Sequence, residues 1–390
     1  MNCWRLLSIA TVLIAGLLSG PLSSEGQVTG PEVKLGYLLE KSGFGASEGA
    51  EEEIAIELAI EEINKAGGIG GVSLKAVIYD TGSKPDQAIS LARKLIHEDK
   101  VLAIVGPAFS SLAEVAFPVA VRDKVVMVSQ LSTKPGMTEK NRPWTFRNTV
   151  AGPVVYDVLV REWVKRNNIK TVAIVYDAKD RFSQSDATET FPALLKKYGA
   201  DVAGTVTFTT GDIDFSAQVT RLKGMNADGI IIAALREEGA HLVREIRKQN
   251  LAKPLAGGME FSTNRFVELA GSAGDGIMTS HSTWMDNPDL RMKEFVRKYV
   301  ERAKGKGINP SVGAVRAYDT TYMMRDIMLK QGITNRPGDL EKDRDKIRRG
   351  WETLKDYEGL EGRTSINEVG DGIKDVYLLR LERGKLHLVK

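Results

Sequence analysis

Apolar and polar positions along this chain fall into blocks of two kinds. Short runs such as Val33–Leu39 (VKLGYLL) are apolar almost throughout, as expected of strands buried on both faces. Between them lie longer segments with apolar residues at helical spacing. Ile56, Ala59, Ile60 and Ile63 share one such face, with Ser47 as the expected cap and Glu51, Glu52 and Glu53 near the positive end of the helix. NKAGGIGG is the expected stop. Strand Leu74–Tyr79, helix Pro85–Glu98, strand Leu102–Val105, a helix beginning at Ser110 and strand Val125–Val128 follow.

From Ala151 the rhythm restarts. The pattern predicts helices Val154–Asn167, Ser185–Tyr198, Phe215–Gly224 and Glu237–Gln249 alternating with strands Thr171–Tyr176, Val202–Phe208, Gly229–Ala233 and Pro254–Gly258. Such alternation implies parallel sheets covered by helices, and two successive runs imply two doubly wound α/β lobes. Two long helical patterns, Asn287–Ala303 and Pro310–Gln331, then break the rhythm, and a hairpin pattern surrounds Arg383–Gly384. There is no low-complexity linker, so the lobes are expected to be intimately joined.

A chain of 390 residues is too long for one core and fits two domains of about 150 residues each. Its 54 basic and 51 acidic residues are interspersed, which argues against nucleic acid or an anionic membrane as the main partner. At the N-terminus, Arg5 precedes the apolar stretch Leu6–Leu18, shorter than the roughly 20 residues of a spanning helix but suited to a signal-peptide core. Residues 1–26 therefore read as a signal peptide, with cleavage between Gly20 and Gln27; a retained anchor is the alternative. The sole cysteine, Cys3, lies in this segment, so the exported chain is expected to be soluble and free of disulfides.

The chemistry of catalysis is sparse. His97, His241, His281 and His387 are far apart, and no metal-ligand spacing is present. GFGASEG (Gly43–Gly49) is one residue too long for a dinucleotide fingerprint, and there is no phosphate-binding lysine loop or nucleophile elbow. No cofactor and no enzymatic activity are expected. Two strand ends do stand out. Val105–Ala120 (VGPAFSSLAEVAFPVA) places Ser110 and Ser111 at a helix start, and SQLSTKPG places Leu131, Ser132 and Thr133 after the next strand. One reading is a capping box from Ser111 to Glu114; the other is a pair of hydroxyl-bearing junctions that hold a carboxylate at the carboxyl ends of parallel strands.

The ordered set VKLGYLLEKSG, AIELAIEEINKAGGIGG, YDTGSKPDQAISLARKLI, AIVGPAFSS, SQLST, TVAIVYDAKDRFSQS, GDIDFSAQVTRLKGMNADGIIIAA and GGMEFS resembles the periplasmic branched-chain amino-acid-binding family, the type I substrate-binding proteins of ABC importers. The resemblance implies a clamshell with a hinge of three crossings. Lobe I would span 33–149 and about 277–357, and lobe II 150–276 and about 358–390. It further implies a ligand carboxylate held by Ser110, Leu131 and Thr133, an ammonium met by Glu260, and Phe182 closing over the ligand. Arg236 stands after Leu235 where the family often has an aromatic, and Glu48 where some members have a tyrosine. The family's small disulfide would need cysteines near Ser83 and Phe109, where there are none.

Two pairs of alternatives remain open at this stage. Glu260 either meets an ammonium or pairs with Arg236, in which case an acid without an amino group fits better; Phe182 is either lid or core. The implied partners are a small carboxylate ligand and an inner-membrane permease, with a monomeric periplasmic receptor. The rivals are a hydrolase using Ser110 and a ligand-sensing module.

Overall fold

The structure, a computed structural model, describes residues 27–285 and 287–389; the expected signal peptide, 1–26, lies outside them. Among the described residues the strands form three sheets. In the first, β1 (Val33–Leu39), β2 (Leu74–Asp80), β3 (Ala103–Val105), β4 (Val126–Ser129) and β5 (Thr145–Arg147) run parallel in the order β2-β1-β3-β4-β5. In the second, β6 (Thr171–Asp177), β7 (Asp201–Phe208), β8 (Gly229–Ala233), β9 (Leu255–Gly257) and β10 (Met278–His281) repeat that order as β7-β6-β8-β9-β10. The third is a small antiparallel sheet of β11 (Tyr357–Gly359), β12 (Gly362–Ile366) and β13 (Gly372–Ile373). The hairpin β14 (Tyr377–Glu382) and β15 (Lys385–Leu388) turns about Arg383–Gly384 as expected and extends the second sheet beyond β10, antiparallel to it.

Period-two alternation along β1 explains its two covers. Val33, Leu35, Tyr37 and Leu39 face a core shared with Ile56 and Ile63 of helix Ala46–Lys65, Met324 of helix Val312–Gln331 and Trp351 of helix Leu340–Glu352. Leu38 faces the opposite core, with Leu95 of helix Pro85–His97 and Phe117 of helix Ser110–Asp123. The second sheet is covered in the same way. Ala173 and Val175 face Val243 of helix Arg236–Lys248, and Val172 and Ile174 face Trp163 of helix Gly152–Asn167.

Among the described residues the chain passes between the lobes at three places: near Thr149–Val150, after His281, and near Asp371–Asp375. The boundaries expected at 276/277 and 357/358 fall elsewhere. β10 stays in the second sheet because it pairs with both β9 and β14. β11–β13 stay with the first lobe: the Leu360 amide donates to both Asp319 oxygens, at 3.0 and 2.8 Å, and Ile366 enters the lobe I core. Two helix starts also differ. Helix Ala46–Lys65 follows a 3-10 turn and is capped by Gly45, so Ser47 lies inside it and bonds Glu51. The segment expected as helix Ser185–Tyr198 begins earlier, with Arg181–Ser185, and continues through a π-turn to Phe191–Lys197.

β3 hands the chain to the first hydroxyl junction through Gly106. Its φ is +95°, and a Cβ there would lie 2.2 Å from the Leu38 carbonyl oxygen. A neighbouring backbone cannot yield as a side chain can. Gly106→Ala is expected to cost about 2–4 kcal/mol from the strained φ and the clash together. The measurement is the urea midpoint at unchanged m-value; an unaltered midpoint would show that the strand end rearranges freely.

Candidate functional site

The carboxyl ends of β3 and β4 bring the two expected junctions together. The helix after β3 starts at Ser110, but its cap is Phe109 and no side chain caps it. The expected capping box therefore does not form, and Glu114 pairs with Lys134 at 2.6 Å instead. Released from capping, the Ser110 hydroxyl lies 2.9 Å from the Ser132 hydroxyl. The loop after β4 folds back on itself, with the Ser132 amide donating to Ser129 Oγ at 3.3 Å. Ser111 and Leu131 are half-buried beside this pair, and Thr133 is buried. The Thr133 carbonyl accepts from the Gly152 amide at 3.2 Å, next to the first crossing.

Lobe II supplies charge. Helix Arg236–Lys248 opens directly after β8, and a 3-10 turn, Met259–Ser262, follows β9. The turn comes this close to the strand because Gly257 has no Cβ; one would lie 2.2 Å from the Phe261 ring. Arg236 Nε donates to Glu260 at 3.0 Å, and its Nη2 reaches Glu48 of lobe I at 3.3 Å. Glu48 also accepts from Ser311 Oγ at 2.8 Å. One guanidinium thus bridges carboxylates of both lobes.

The acids outnumber that cation. Burial lifts the Glu260 carboxyl above its usual range, and Arg236 pulls it back. Burial, reinforced by Glu48, brings Glu51 to about 7. Arg236 is held firmly charged, by Glu260 first and then Glu48. Behind them lie Glu52, raised by burial and hydrogen-bonded by Gln130 at 2.9 Å, and Glu40, which burial lifts to about 8. The run of three glutamates at 51–53 reads in sequence as a favourable helix start. Only the packing of Val312–Gln331 alongside reveals that Glu52 is buried.

Phe182 sits after β6 in the short helix Arg181–Ser185, half-buried against the lobe II core that contains Tyr156 and Phe191. Tyr156 donates to Asp186 at 2.6 Å and accepts from the Met259 amide at 3.3 Å, which joins this corner to the Glu260 turn. Ser83 and Phe109, the positions of the missing disulfide, both flank Gly45: Ser83 Oγ accepts its amide at 3.1 Å, and Phe109 packs where a Cβ would be. The Ser110 and Ser132 hydroxyls stand on lobe I and the Arg236–Glu260 pair on lobe II, with Glu48 reaching that pair from lobe I.

A family model described as "Periplasmic binding protein" matches residues 32–385. The chain belongs to the periplasmic binding protein family. The resemblance drawn from the ordered motifs is therefore right as to family and fold. One similar relative is the leucine-, isoleucine-, valine-, threonine- and alanine-binding protein of Pseudomonas aeruginosa, 25% identical over 374 residues, covering 93% of this chain and 91% of that one. The branched-chain amino acid transporter substrate-binding protein LivJ of Streptococcus pneumoniae, solved with isoleucine, is 26% identical with a TM-score of 0.77, covering 91% of this chain and 97% of that one. A solute-binding protein of Rhodopseudomonas palustris, solved with 3,4-dihydroxybenzoic acid, shares the fold at 23% identity and a TM-score of 0.79, covering 92% of this chain and 96% of that one.

In this periplasmic binding protein the buried acids set a pH dependence. The folded-state pKa of Glu40, about 8, lies above the 4.5 of the free group, so the folded chain binds the extra proton. The resulting stability is complete below about pH 4.5 and is lost as pH rises through about 8. Glu40→Gln removes that loss. The variant is expected to melt near wild type at pH 5 and above it at pH 9, as followed by circular dichroism. A difference that does not change with pH would mean that Glu40 is already ionised in the folded protein.

Proposed function

We propose that this chain is the periplasmic receptor of an ABC importer and that it binds an α-amino acid with an apolar side chain in the cleft between its lobes. The observation that carries this reading is the sharing of Arg236 between Glu48 and Glu260, with Glu51 alongside. One cation among these acids leaves carboxylate charge in a half-buried site, and an ammonium group supplies what is missing. The ligand carboxylate falls to Ser110, Ser132 and Thr133 at the start of helix Ser110–Asp123, where free amides and the helix dipole favour an anion. Leu131, Ser111 and Phe182 complete the cleft wall. A ligand that touches both lobes binds the closed form more tightly, and closure presents a single shape to a membrane permease.

The binding of branched-chain amino acids by the Pseudomonas and Streptococcus relatives supports this class of ligand. The Ser110 hydroxyl meets another hydroxyl instead of a base, which favours binding over turnover. Export through the 1–26 leader and action as a monomer complete the proposal. A second reading has its own observation: Glu260 already has a cation in Arg236, which suits an aromatic acid without an amino group.

Thermal unfolding of refolded protein against amino acids and benzoates separates the two. Ligand at 100 times its Kd adds about 2.7 kcal/mol to the native state. Leucine, isoleucine or valine is expected to raise Tm. Glu260→Gln is expected to weaken that binding by about 2–5 kcal/mol, the usual loss on removing one member of a buried charged pair. A rise with benzoates alone would discard the amino-acid assignment and move Arg236 to the ligand carboxylate.

A further inference from the structure

Two fully buried arginines lie behind the hydroxyl junction, and neither belongs to the site described above. Arg147, at the end of β5, donates through Nη1 to the carbonyls of Ser132 and Lys134, at 3.2 and 2.8 Å. Its other edge grips Asp371 of the third crossing in a two-pronged pair, both bonds 2.6 Å. Asp371 also accepts from Thr138 at 2.5 Å. Backbone bonds run beside this pair: the Arg147 amide to the Gly370 carbonyl at 3.0 Å, and the Gly372 amide to the Thr149 carbonyl at 3.2 Å.

Arg316, in helix Val312–Gln331, repeats the arrangement. It donates to the Gln130 carbonyl at 3.4 Å and to Thr149 Oγ1 of the first crossing at 2.8 Å. It also donates to Ser282 and Thr283 of the second crossing, at 2.8 and 3.1 Å. Its Nε donates to Glu361 at 3.1 Å, and Glu361 is closed off by Lys374 of the third crossing. Arg147 thus holds two carbonyls of the 130–134 loop and Arg316 one, each with a carboxylate of the C-terminal segment on its other side.

We infer that Arg147 and Arg316 are positioning residues that tie the seat of the ligand carboxylate to the hinge. A buried guanidinium that loses a partner is left with unmet donors, so it resists any movement that separates the groups it holds. The loop and the crossings consequently shift as one body when the lobes turn. Ordering the loop around a ligand narrows the range of hinge angles, and fixing the hinge angle shapes the loop. The inference deepens the receptor reading, yet its first test needs no ligand.

The test places spin labels on cysteines introduced at the exposed residues Arg93 of lobe I and Lys223 of lobe II, with Cys3 replaced by serine. Inter-lobe distances are then measured in wild type, Asp371→Asn and Arg316→Lys, each free and with 10 mM L-leucine, a probe concentration of roughly the scale needed to saturate a weak site. Both variants are expected to broaden the distance distribution of the free protein. With leucine bound, they are expected to speed its dissociation about tenfold while leaving association within about threefold. A free-state distribution identical to wild type in both variants, whatever their Tm, would overturn the coupling. If leucine fails to shift even the wild-type distribution, the amino-acid reading falls and the free-state comparison still decides the coupling. Should Asp371→Asn not fold, Thr138→Val, which removes only the hydroxyl bonded to Asp371, takes its place with the same two outcomes.

Discussion

A buried guanidinium must have its donors met, and meeting those of Arg316 requires parts of the chain that lie far apart in sequence. Its partners come from the loop after β4, from the first crossing, from the second crossing and from the turn after β11. Burial alone would raise the Glu361 carboxyl, but Arg316 and Lys374 outweigh it and bring it to about 2. His281 close by is kept neutral, first by burial and then by Arg316, with its pKa lowered to about 3. The crossings can therefore share one region only in an arrangement that satisfies these charges.

The cleft inherits its chemistry from strand direction. Parallel strands of the same order in each lobe send their carboxyl ends, with the loops and helix starts that follow, toward the space between the sheets. Lobe I brings hydroxyls at Ser110 and Ser132 and the acid Glu48; lobe II brings Arg236 and Glu260. Glycines allow these loops to approach closely. Gly106 passes beneath the Leu38 carbonyl, and Gly257 leaves space for the Phe261 ring, so both strand ends turn within a residue or two of the sheet.

Much of this was legible in the sequence, for a physical reason. A strand buried on both faces must be apolar throughout, so β1, β3, β6 and β8 announce themselves, and the hairpin turn at Arg383–Gly384 carries its own signal. Short strands such as β5 and β10 take their form from partners instead of from their own residues. Helix Leu340–Glu352 shows few apolar positions because Ile347 and Trp351 do most of its packing. Ser110 and Ser132 could be paired in advance because each follows a strand at a junction rich in hydroxyls. Arg147 and Arg316 could not. Their partners are backbone carbonyls, which have no residue code, and side chains as far as 224 positions away. The Arg236–Glu260 pair was foreseen as one of two alternatives, while the third member, Glu48, became evident only once helix Ala46–Lys65 was set against lobe II.

That third member changes the charge balance of the cleft. With Arg236 spanning Glu48 and Glu260, the site contains a counterion supplied by the protein itself. On the proposed reading, binding of a zwitterion is an exchange in which one cation yields part of its hold on the acids to another. The free energy of such an exchange is a difference between two pairings, smaller than either. A site built in this way can bury several carboxylates and still let go of what it binds.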